Sequence, residues 1–219
     1  MEIKNIIFDF GGVIYDIDFE KSKKAFQTLG VTETHLPFSE PSVKSIFDNL
    51  ETGKLLPGQF YDQIRQITDI NMSDNQIREA WNALLIGFVK ERIHLLETIR
   101  NNYNIFLLSN SNFIHYQKYR EEFEQQFGYK TFSDLFQNAY FSHEMGMQKP
   151  HPEIFETVMQ EQMLVPGETL FIDDTKEHVE SAKWLNINGR FLDISNKEEL
   201  QNLFDQQGVL HERELNKSE

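Results

Sequence analysis

Four segments of the chain carry side chains that could assemble into a metal-dependent catalytic site. Asp9 ends a short apolar run and is followed by Phe10-Gly11-Gly12, and Asp173-Asp174 end a later apolar run. Between them, Ser109-Asn110-Ser111-Asn112 offers hydroxyl and amide groups, and Met147-Gln148-Lys149-Pro150 offers an ammonium group. Carboxylates can act as nucleophiles or bind hard cations, and charged or polar donors can bind anions.

Each of these groups also has an ordinary structural interpretation. Asp9 and the glycines that follow it are common turn residues, and Ser109-Asn110 could cap a helix. Lys149 could be a solvated loop residue, and Asp173-Asp174 could cap a helix and interact with its dipole. Taken singly, none of the four segments establishes a site.

An alternation of strands and helices gives the four segments a common location. Apolar runs predict strands over 3–8, 104–108, 138–141, 169–172 and 188–192, and helices are predicted between them over 91–101, 114–126, 152–162 and 175–185, with a last helix over 196–206. This pattern predicts an α/β fold with a doubly wound, mostly parallel sheet. The carboxyl ends of such strands face one crevice, where Asp9, Ser109, Lys149 and Asp173-Asp174 would meet.

Convergence of three carboxylates predicts a bound cation. Without one, Asp9, Asp173 and Asp174 would raise one another's pKa values and destabilise the fold. Mg²⁺ suits a site built from carboxylate and carbonyl oxygens, with some water retained. Such an ion and Lys149 would also offset the negative charge of the chain locally.

A block between Thr32 and Gly87 has a helical pattern throughout and shows no strand signal. Helices are predicted over 42–50, 57–67 and 73–85, after a first helix over 20–29. So long a block is not a simple connection between a strand and a helix. We therefore predict a helical cap over 17–88, inserted into a core of 1–16 plus 89–207, with a tail over 208–219 that is frayed or solvated.

Composition restricts the partners of the chain. Its 219 residues carry 35 acidic and 21 basic side chains, a net charge of −14, and no cysteine. The negative field disfavours nucleic acid and anionic membranes, and the missing cysteine excludes disulfides and thiolate catalysis. No apolar run is long enough to span a membrane, and no signal-peptide pattern is seen, so we expect a cytoplasmic protein.

The four segments resemble, in order, the motifs of the haloacid dehalogenase-like hydrolase superfamily. Phe8–Val13 resembles the nucleophile loop, Leu108-Ser109-Asn110 the second motif, Lys149-Pro150 the third and Phe171–Asp174 the fourth. The helical block lies where members with a helical cap carry it. Within the superfamily, Gly11 and the run Asp16–Phe19 are similar to bacterial sugar-phosphate phosphatases of a glucose-1-phosphatase-like subgroup.

The resemblance implies a Mg²⁺-dependent phosphatase acting on a small phosphorylated metabolite, with a sugar phosphate as the expected substrate. Asp9 would form an aspartyl-phosphate. Mg²⁺ would be held by Asp9, the Gly11 carbonyl and Asp174, with Asp173 in or near its coordination sphere. Ser109, the Asn110 backbone N–H and Lys149 would bind the phosphoryl oxygens.

One position departs from the family pattern. Phosphatases of this superfamily usually carry a second aspartate two residues after the nucleophile, as general acid and base, and here that position is Gly11. Asp16, Asp18 or a cap residue such as His35 could supply the proton, although a hinge or helix-capping role is the more common one for Asp16 and Asp18. Two other functions stay open: a metal-independent 2-haloacid dehalogenase and a catalytically weakened binding protein.

Overall fold

A five-stranded parallel sheet forms the centre of the protein. The structure, a computed structural model, describes residues 2–32 and 41–215. Its strands are β1 (Asn5–Phe8), β2 (Tyr15–Ile17), β3 (Leu85–Phe88), β4 (Asn104–Ser109), β5 (Asn138–Phe141), β6 (Thr169–Asp173) and β7 (Asn188–Phe191). The large sheet has the order β5-β4-β1-β6-β7, and each neighbouring pair is parallel. The predicted α/β fold class is confirmed.

The central strand β1 is buried on both faces, as expected for a parallel sheet covered by helices. Ile6 and Phe8 belong to the larger apolar cluster, whereas Ile7 belongs to a second cluster on the other face. All three side chains are fully buried. The alternation follows from the two-residue period of a strand. Because Asp9 directly follows β1, it lies at the carboxyl end of the sheet.

Helices connect the strands and cover the sheet. They are α1 (Phe19–Thr28), α2 (Pro41–Glu51), α3 (Pro57–Thr68), α4 (Asp74–Asn82), α5 (Lys90–Ile99), α6 (Phe113–Phe127), α7 (Ser142–Met145), α8 (Pro152–Glu161), α9 (Lys176–Trp184) and α10 (Glu212–Leu215). Most lie within about two residues of their predicted bounds, the usual uncertainty of a helix end. Among the described residues, no helix is long and apolar enough to cross a membrane.

Helices α1 to α4 form the block that follows the first strand, and a two-stranded antiparallel sheet joins this block to the core. In that small sheet, β2 pairs with β3, with Tyr15 opposite Phe88. The prediction that no strand occurs between Thr32 and Gly87 is therefore wrong at β3, and α4 ends before the predicted helix end at Leu85. The pairing joins residues about 70 positions apart in the chain, so no local sequence pattern signals it.

The C-terminal region also differs from the prediction. Two short 3₁₀ helices, Ile194–Asn196 and Leu200–Leu203, replace the predicted helix over 196–206. Lys197 adopts a left-handed conformation, which ends the first of them. The described part of the chain after Gly208 is not frayed, because Leu210 is buried and the buried Glu214 pairs with Arg190 at 2.9 Å.

Candidate active site

The carboxyl ends of three neighbouring strands bring the predicted residues together. Asp9 directly follows β1, Ser109 ends β4 and Asp173 ends β6. The Asp9 N–H donates to the carbonyl of Ile172 at 2.9 Å, which continues the β1–β6 pairing up to the carboxylate. Asp9, Ser109 and Asp173 are all buried, so the site lies within the fold and not on its surface.

Lys149 links two of these carboxylates. Its Nζ donates to Asp9 Oδ1 at 2.6 Å, to Asp173 Oδ2 at 2.7 Å and to the Leu108 carbonyl at 2.9 Å. The residue is only 2% exposed, so its ammonium group is saturated by protein acceptors. Burial would lower the pKa of Lys149, but the charges of Asp173 and Asp9 raise it above its ordinary value. The site therefore contains a fixed positive charge beside Asp9.

The side chain of Asn110 positions the loop that carries Lys149. This loop, residues 146–151 between α7 and α8, is called the lysine loop. Its Nδ2 donates to the Lys149 carbonyl at 2.8 Å, and its Oδ1 accepts the Lys149 N–H at 2.9 Å. Two hydrogen bonds to one residue's backbone fix the loop after α7 against the end of β4. The sequence prediction had assigned only the backbone N–H of Asn110 a role; the structure shows that its side chain holds Lys149 in place.

Asp9, Asp173 and Asp174 form a cluster that fits a divalent cation. One carboxylate oxygen from each residue lies within 4.8 Å of the others. Burial, reinforced by the charges of Asp173 and Asp174, raises the pKa of Asp9 to about 7 in spite of Lys149. Burial and the charge of Asp173 raise the pKa of Asp174 to about 6. A bound cation would favour the ionised form of these carboxylates, and hard oxygen donors are what Mg²⁺ requires.

Gly12 leaves room for the Asp174 carboxylate. Its φ of +79° lies in the left-handed region, and a Cβ built at this position would be 2.2 Å from Asp174 Oδ2. Any side chain would therefore displace that oxygen. A glycine is thus required at position 12 because Asp174 of the fourth motif approaches it so closely.

Asp173 is held by groups that sequence reasoning missed. The Thr175 N–H donates to its Oδ1 at 2.8 Å, and His178 Nδ1 lies 3.0 Å from its Oδ2. Burial opposes ionisation, yet Lys149 and His178 together lower the pKa of Asp173 to about 2. His178 lies five positions after Asp173, in the first turns of α9, and this spacing is the only sequence signal for its contact.

The residues considered as replacement acids are placed differently. A Cβ at Gly11 would lie 3.2 Å from Cδ1 of Ile17, so an apolar side chain occupies the space beside this position. Asp16 pairs with Arg92 at 2.7 Å, and Asp18 caps α1 by accepting the N–H of Glu20. His35 lies outside the described residues. Asp16 and Asp18 therefore have the structural roles that the sequence left open, at the hinge and at a helix N-terminus.

The assembled site can support attack by a buried carboxylate on an anionic substrate. Lys149 supplies positive charge, and the carboxylate cluster can hold a cation on the same side. Ser109 Oγ makes only a long contact of 3.4 Å with the Asn110 carbonyl, so its hydroxyl remains able to donate to a ligand. These groups fit a reaction in which the negative charge on the oxygens around the attacked atom is stabilised.

Known proteins resemble this chain in sequence and in fold. The family model described as haloacid dehalogenase-like hydrolase matches residues 6–190. A D-ribitol-5-phosphate phosphatase of Bacteroides thetaiotaomicron is 34% identical over 188 residues, covering 84% of this chain and 88% of that protein.

Two solved structures resemble the whole fold. A haloacid dehalogenase-family enzyme of Bacteroides thetaiotaomicron, in complex with magnesium and inorganic phosphate, superposes with a TM-score of 0.80 at 34% identity and covers 93% of this chain and 100% of its own. A predicted hydrolase of the same family from Porphyromonas gingivalis gives a TM-score of 0.77 at 27% identity and covers 87% and 91%. With the matched family model and the strand-end cluster, these findings confirm the resemblance: the chain belongs to the haloacid dehalogenase-like hydrolases.

Proposed function

We propose that this protein is a Mg²⁺-dependent phosphatase that hydrolyses a small phosphorylated metabolite, a sugar phosphate or the related phosphate of a sugar alcohol. The observation that carries the proposal is the position of Asp9, buried between the Lys149 ammonium and the carboxylates of Asp173 and Asp174. A solved structure of this family in complex with magnesium and inorganic phosphate supports the proposal, as does the similarity to a D-ribitol-5-phosphate phosphatase.

Asp9 acts as the nucleophile in this mechanism. Its carboxylate attacks phosphorus, an O–P bond forms, and the electron pair of the breaking P–O bond passes to the leaving oxygen. Lys149 favours the ionised form of this carboxylate and orients it through a 2.6 Å hydrogen bond. Water then attacks the aspartyl-phosphate, which releases inorganic phosphate and restores the Asp9 carboxylate.

The cation site consists of Asp9, Asp174 and the Gly11 carbonyl, with Asp173 beside them. When bound, Mg²⁺ would screen the substrate phosphate from the carboxylates and stabilise negative charge on the transferring oxygens. Asp173 is already engaged by Lys149, Thr175 and His178. Asp173 therefore orients Lys149 as well as adding negative charge to the cation site.

Ser109, the backbone N–H of Asn110 and the ammonium of Lys149 bind the remaining phosphoryl oxygens. These donors lie on β4 and on the loop that Asn110 fixes, so their positions are set before substrate arrives. Preorganised donors of this kind stabilise the transition state, over which the phosphoryl charge is spread. The described site offers no extended basic surface, which fits a small substrate better than a polymer.

A phosphate-release assay tests the proposal. We expect the wild-type protein with Mg²⁺ to hydrolyse p-nitrophenyl phosphate and members of a panel of sugar and polyol phosphates. Asp9→Asn removes the nucleophile, so turnover should fall at least about 10⁴-fold, as for other covalent nucleophiles. A chelator should abolish turnover, and added Mg²⁺ should restore it.

Asn110→Asp serves as a second probe of the same site. It keeps the shape of the side chain but removes the Nδ2 donor to Lys149, and we expect a smaller loss than for Asp9→Asn. Halide release from a 2-haloacid without metal would instead identify a dehalogenase. Binding of beryllofluoride at Asp9 without turnover of any ester would indicate a binding protein. Phosphatase activity that survives both Asp9→Asn and chelation would contradict the mechanism.

A further inference from the structure

The mechanism lacks an assigned group that exchanges protons with the leaving oxygen and the attacking water. Ile17 lies beside Gly11, Asp16 is paired with Arg92, and Asp18 caps α1. The carboxylates of Asp16 and Asp18 are therefore engaged by structural partners. A proton donor from the cap must therefore approach the site from another direction.

The C-terminal end of α2 lies against the core beside the lysine loop. Gly53 follows α2 with a φ of +67°, and a Cβ there would be 2.2 Å from the carbonyl oxygen of His143. Asp48 Oδ1 lies 3.5 Å from Nε2 of Gln148, the residue before Lys149. These two contacts bring the end of α2 to α7 and to the loop that follows α7, which supplies the active-site ammonium.

Glu51 is the last residue of α2 and is partly buried at this junction. Among the described residues, its side-chain carboxyl group has no hydrogen-bond or ion-pair partner. Burial, together with the charge of Asp48, raises the pKa of Glu51 to about 7, and Lys44 and Lys149 oppose this shift. Burial raises the pKa of the Tyr119 hydroxyl, and the charges of Glu51 and Asp9 both add to this shift.

Charged and titratable groups face Glu51 from each neighbouring element. Lys44 and Asp48 lie on α2, where they pair with each other at 2.9 Å. Lys149 faces it from the loop after α7, and Tyr119 from α6. Lys44 and Lys149 are already bound by carboxylates, so neither is available as an ion-pair partner for Glu51.

We propose that Glu51, carried by the cap, is the general acid and base of this phosphatase. The inference rests on the proposed function and replaces the side chain missing at Gly11. In the first step, the protonated carboxyl of Glu51 gives its proton to the leaving oxygen as the P–O bond breaks and Asp9 bonds to phosphorus. In the second, the Glu51 carboxylate takes a proton from the water that attacks the aspartyl-phosphate, which returns both residues to their starting states.

The other titratable groups at the junction fit this task less well. Asp48 shares its charge with Lys44 and accepts from Gln148. His143 packs among aromatic rings, and burial lowers its pKa to about 4, so the neutral ring has no proton of suitable acidity to give near neutral pH. A carboxyl group that titrates near the working pH can both donate and accept a proton.

Substrates with different leaving groups test the inference. With an alkyl phosphate, whose alkoxide leaves poorly, we expect Glu51→Gln to lower kcat by about 10²–10⁴-fold. With p-nitrophenyl phosphate, whose phenolate leaves without protonation, Asp9 should still be phosphorylated. Stopped-flow measurements should then show a burst of about one equivalent of nitrophenol per enzyme, followed by slow turnover, because water lacks its base.

Matched variants make the result specific. Glu79→Gln changes an exposed carboxyl group on α4, elsewhere in the cap, and should leave kcat within a few-fold of wild type, with no burst. Glu51→Asp should recover part of the alkyl phosphatase activity. Circular dichroism and the unfolding midpoint of each variant would show that the fold is retained.

The outcomes separate this inference from the proposed function. If the wild type turns over phosphate esters and depends on Asp9, but Glu51→Gln matches it on both substrates, the inference is wrong. It is also wrong if Glu51→Gln loses the same factor on both substrates and shows no burst. If the wild type hydrolyses no ester, or Asp9→Asn remains active, the proposed function fails and the inference with it.

Discussion

At the scale of single residues, the site is a balance of buried charges. One ammonium group and three carboxylates lie within hydrogen-bonding or metal-binding distance of one another. Lys149 cannot neutralise all three, and the raised pKa values of Asp9 and Asp174 reflect their burial together with the remaining repulsion. A divalent cation would complete the balance, which is a physical reason to expect metal dependence in a protein of this negative net charge.

Gly12→Ala tests whether Asp174 must lie where it does. The added Cβ would come within 2.2 Å of Asp174 Oδ2. We therefore expect kcat/KM to fall at least about tenfold and the Mg²⁺ concentration for half-maximal activity to rise, because Asp174 would no longer be well placed as a ligand. Steady-state kinetics over a Mg²⁺ series measures both.

Gly128→Ala is the matched control for this prediction. Gly128 has a φ of +76°, close to that of Gly12, but its Cβ would meet no atom within 4 Å. Both variants should lose about 1 kcal/mol of stability from left-handed backbone strain. Only Gly12→Ala should lose activity. Equal kinetics in the two variants would show that Asp174 tolerates displacement.

At the scale of elements, the pattern of apolar residues along the sequence predicted the strands and helices that local interactions determine. The apolar runs that precede Asp9, Ser109 and Asp173 predicted β1, β4 and β6, and parallel strands then required the three residues to meet. The pairing of β2 with β3 depends on the tertiary structure, and the contact of His178 with Asp173 depends on how the turn after β6 leads into α9. The lysine and aspartates were found from the sequence because they follow strands, whereas Glu51 lies on a helix whose docking no local pattern specifies.

Docking of α10 on β7 gives a prediction at this scale. Arg190 of β7 lies in an ion-pair cluster with Glu214 at 2.9 Å and with Glu198, and the side chains of Arg190 and Glu214 are 8% and 3% exposed. Glu214→Gln leaves Glu198 as a partner, so we expect the free energy of unfolding to fall by roughly 1–3 kcal/mol, less than for a fully broken buried pair. Urea denaturation measures the change.

An exposed ion pair provides the comparison. Glu180 pairs with Lys183 at 3.1 Å, and its side chain is 68% exposed. Glu180→Gln should change stability by less than about 0.5 kcal/mol, because surface pairs contribute little. If both variants behave alike, the C-terminal segment does not pack on β7 in solution. Neither substitution touches the site, so phosphatase activity should be unchanged in both.

At the scale of the whole molecule, the cap and the core are joined by a buried histidine. His115 on α6 stacks on Trp81 of α4 with ring centroids 4.9 Å apart, and its Nδ1 lies 2.8 Å from Asn82 Oδ1. Burial lowers the pKa of His115 from 6.5 to about 3. The contact between the two parts therefore requires a neutral imidazole.

The neutral state of His115 makes the stability of the molecule depend on pH. Between pH 6.5 and 3, the unfolded chain binds a proton at His115 that the folded chain does not, so acidification favours unfolding. The loss approaches about 1.4 kcal/mol per pH unit within that window. The raised pKa values of Asp9, Asp174 and Glu51 act in the opposite direction, so the contribution of His115 is isolated only by comparison with a variant.

His115→Gln keeps a neutral donor to Asn82 but cannot be protonated. At pH 7.5 we expect the variant to be less stable than the wild type, by roughly 1–2 kcal/mol for the lost ring stacking. As the pH falls from 6.5 to 4.5, this difference should shrink and then reverse, because only the wild type carries the His115 penalty. Urea denaturation at four pH values, with the surface variant His94→Gln as control, measures the difference. Parallel stability curves for the wild type and His115→Gln would mean that His115 is protonated within the folded protein, and hence that the α4–α6 contact opens to water.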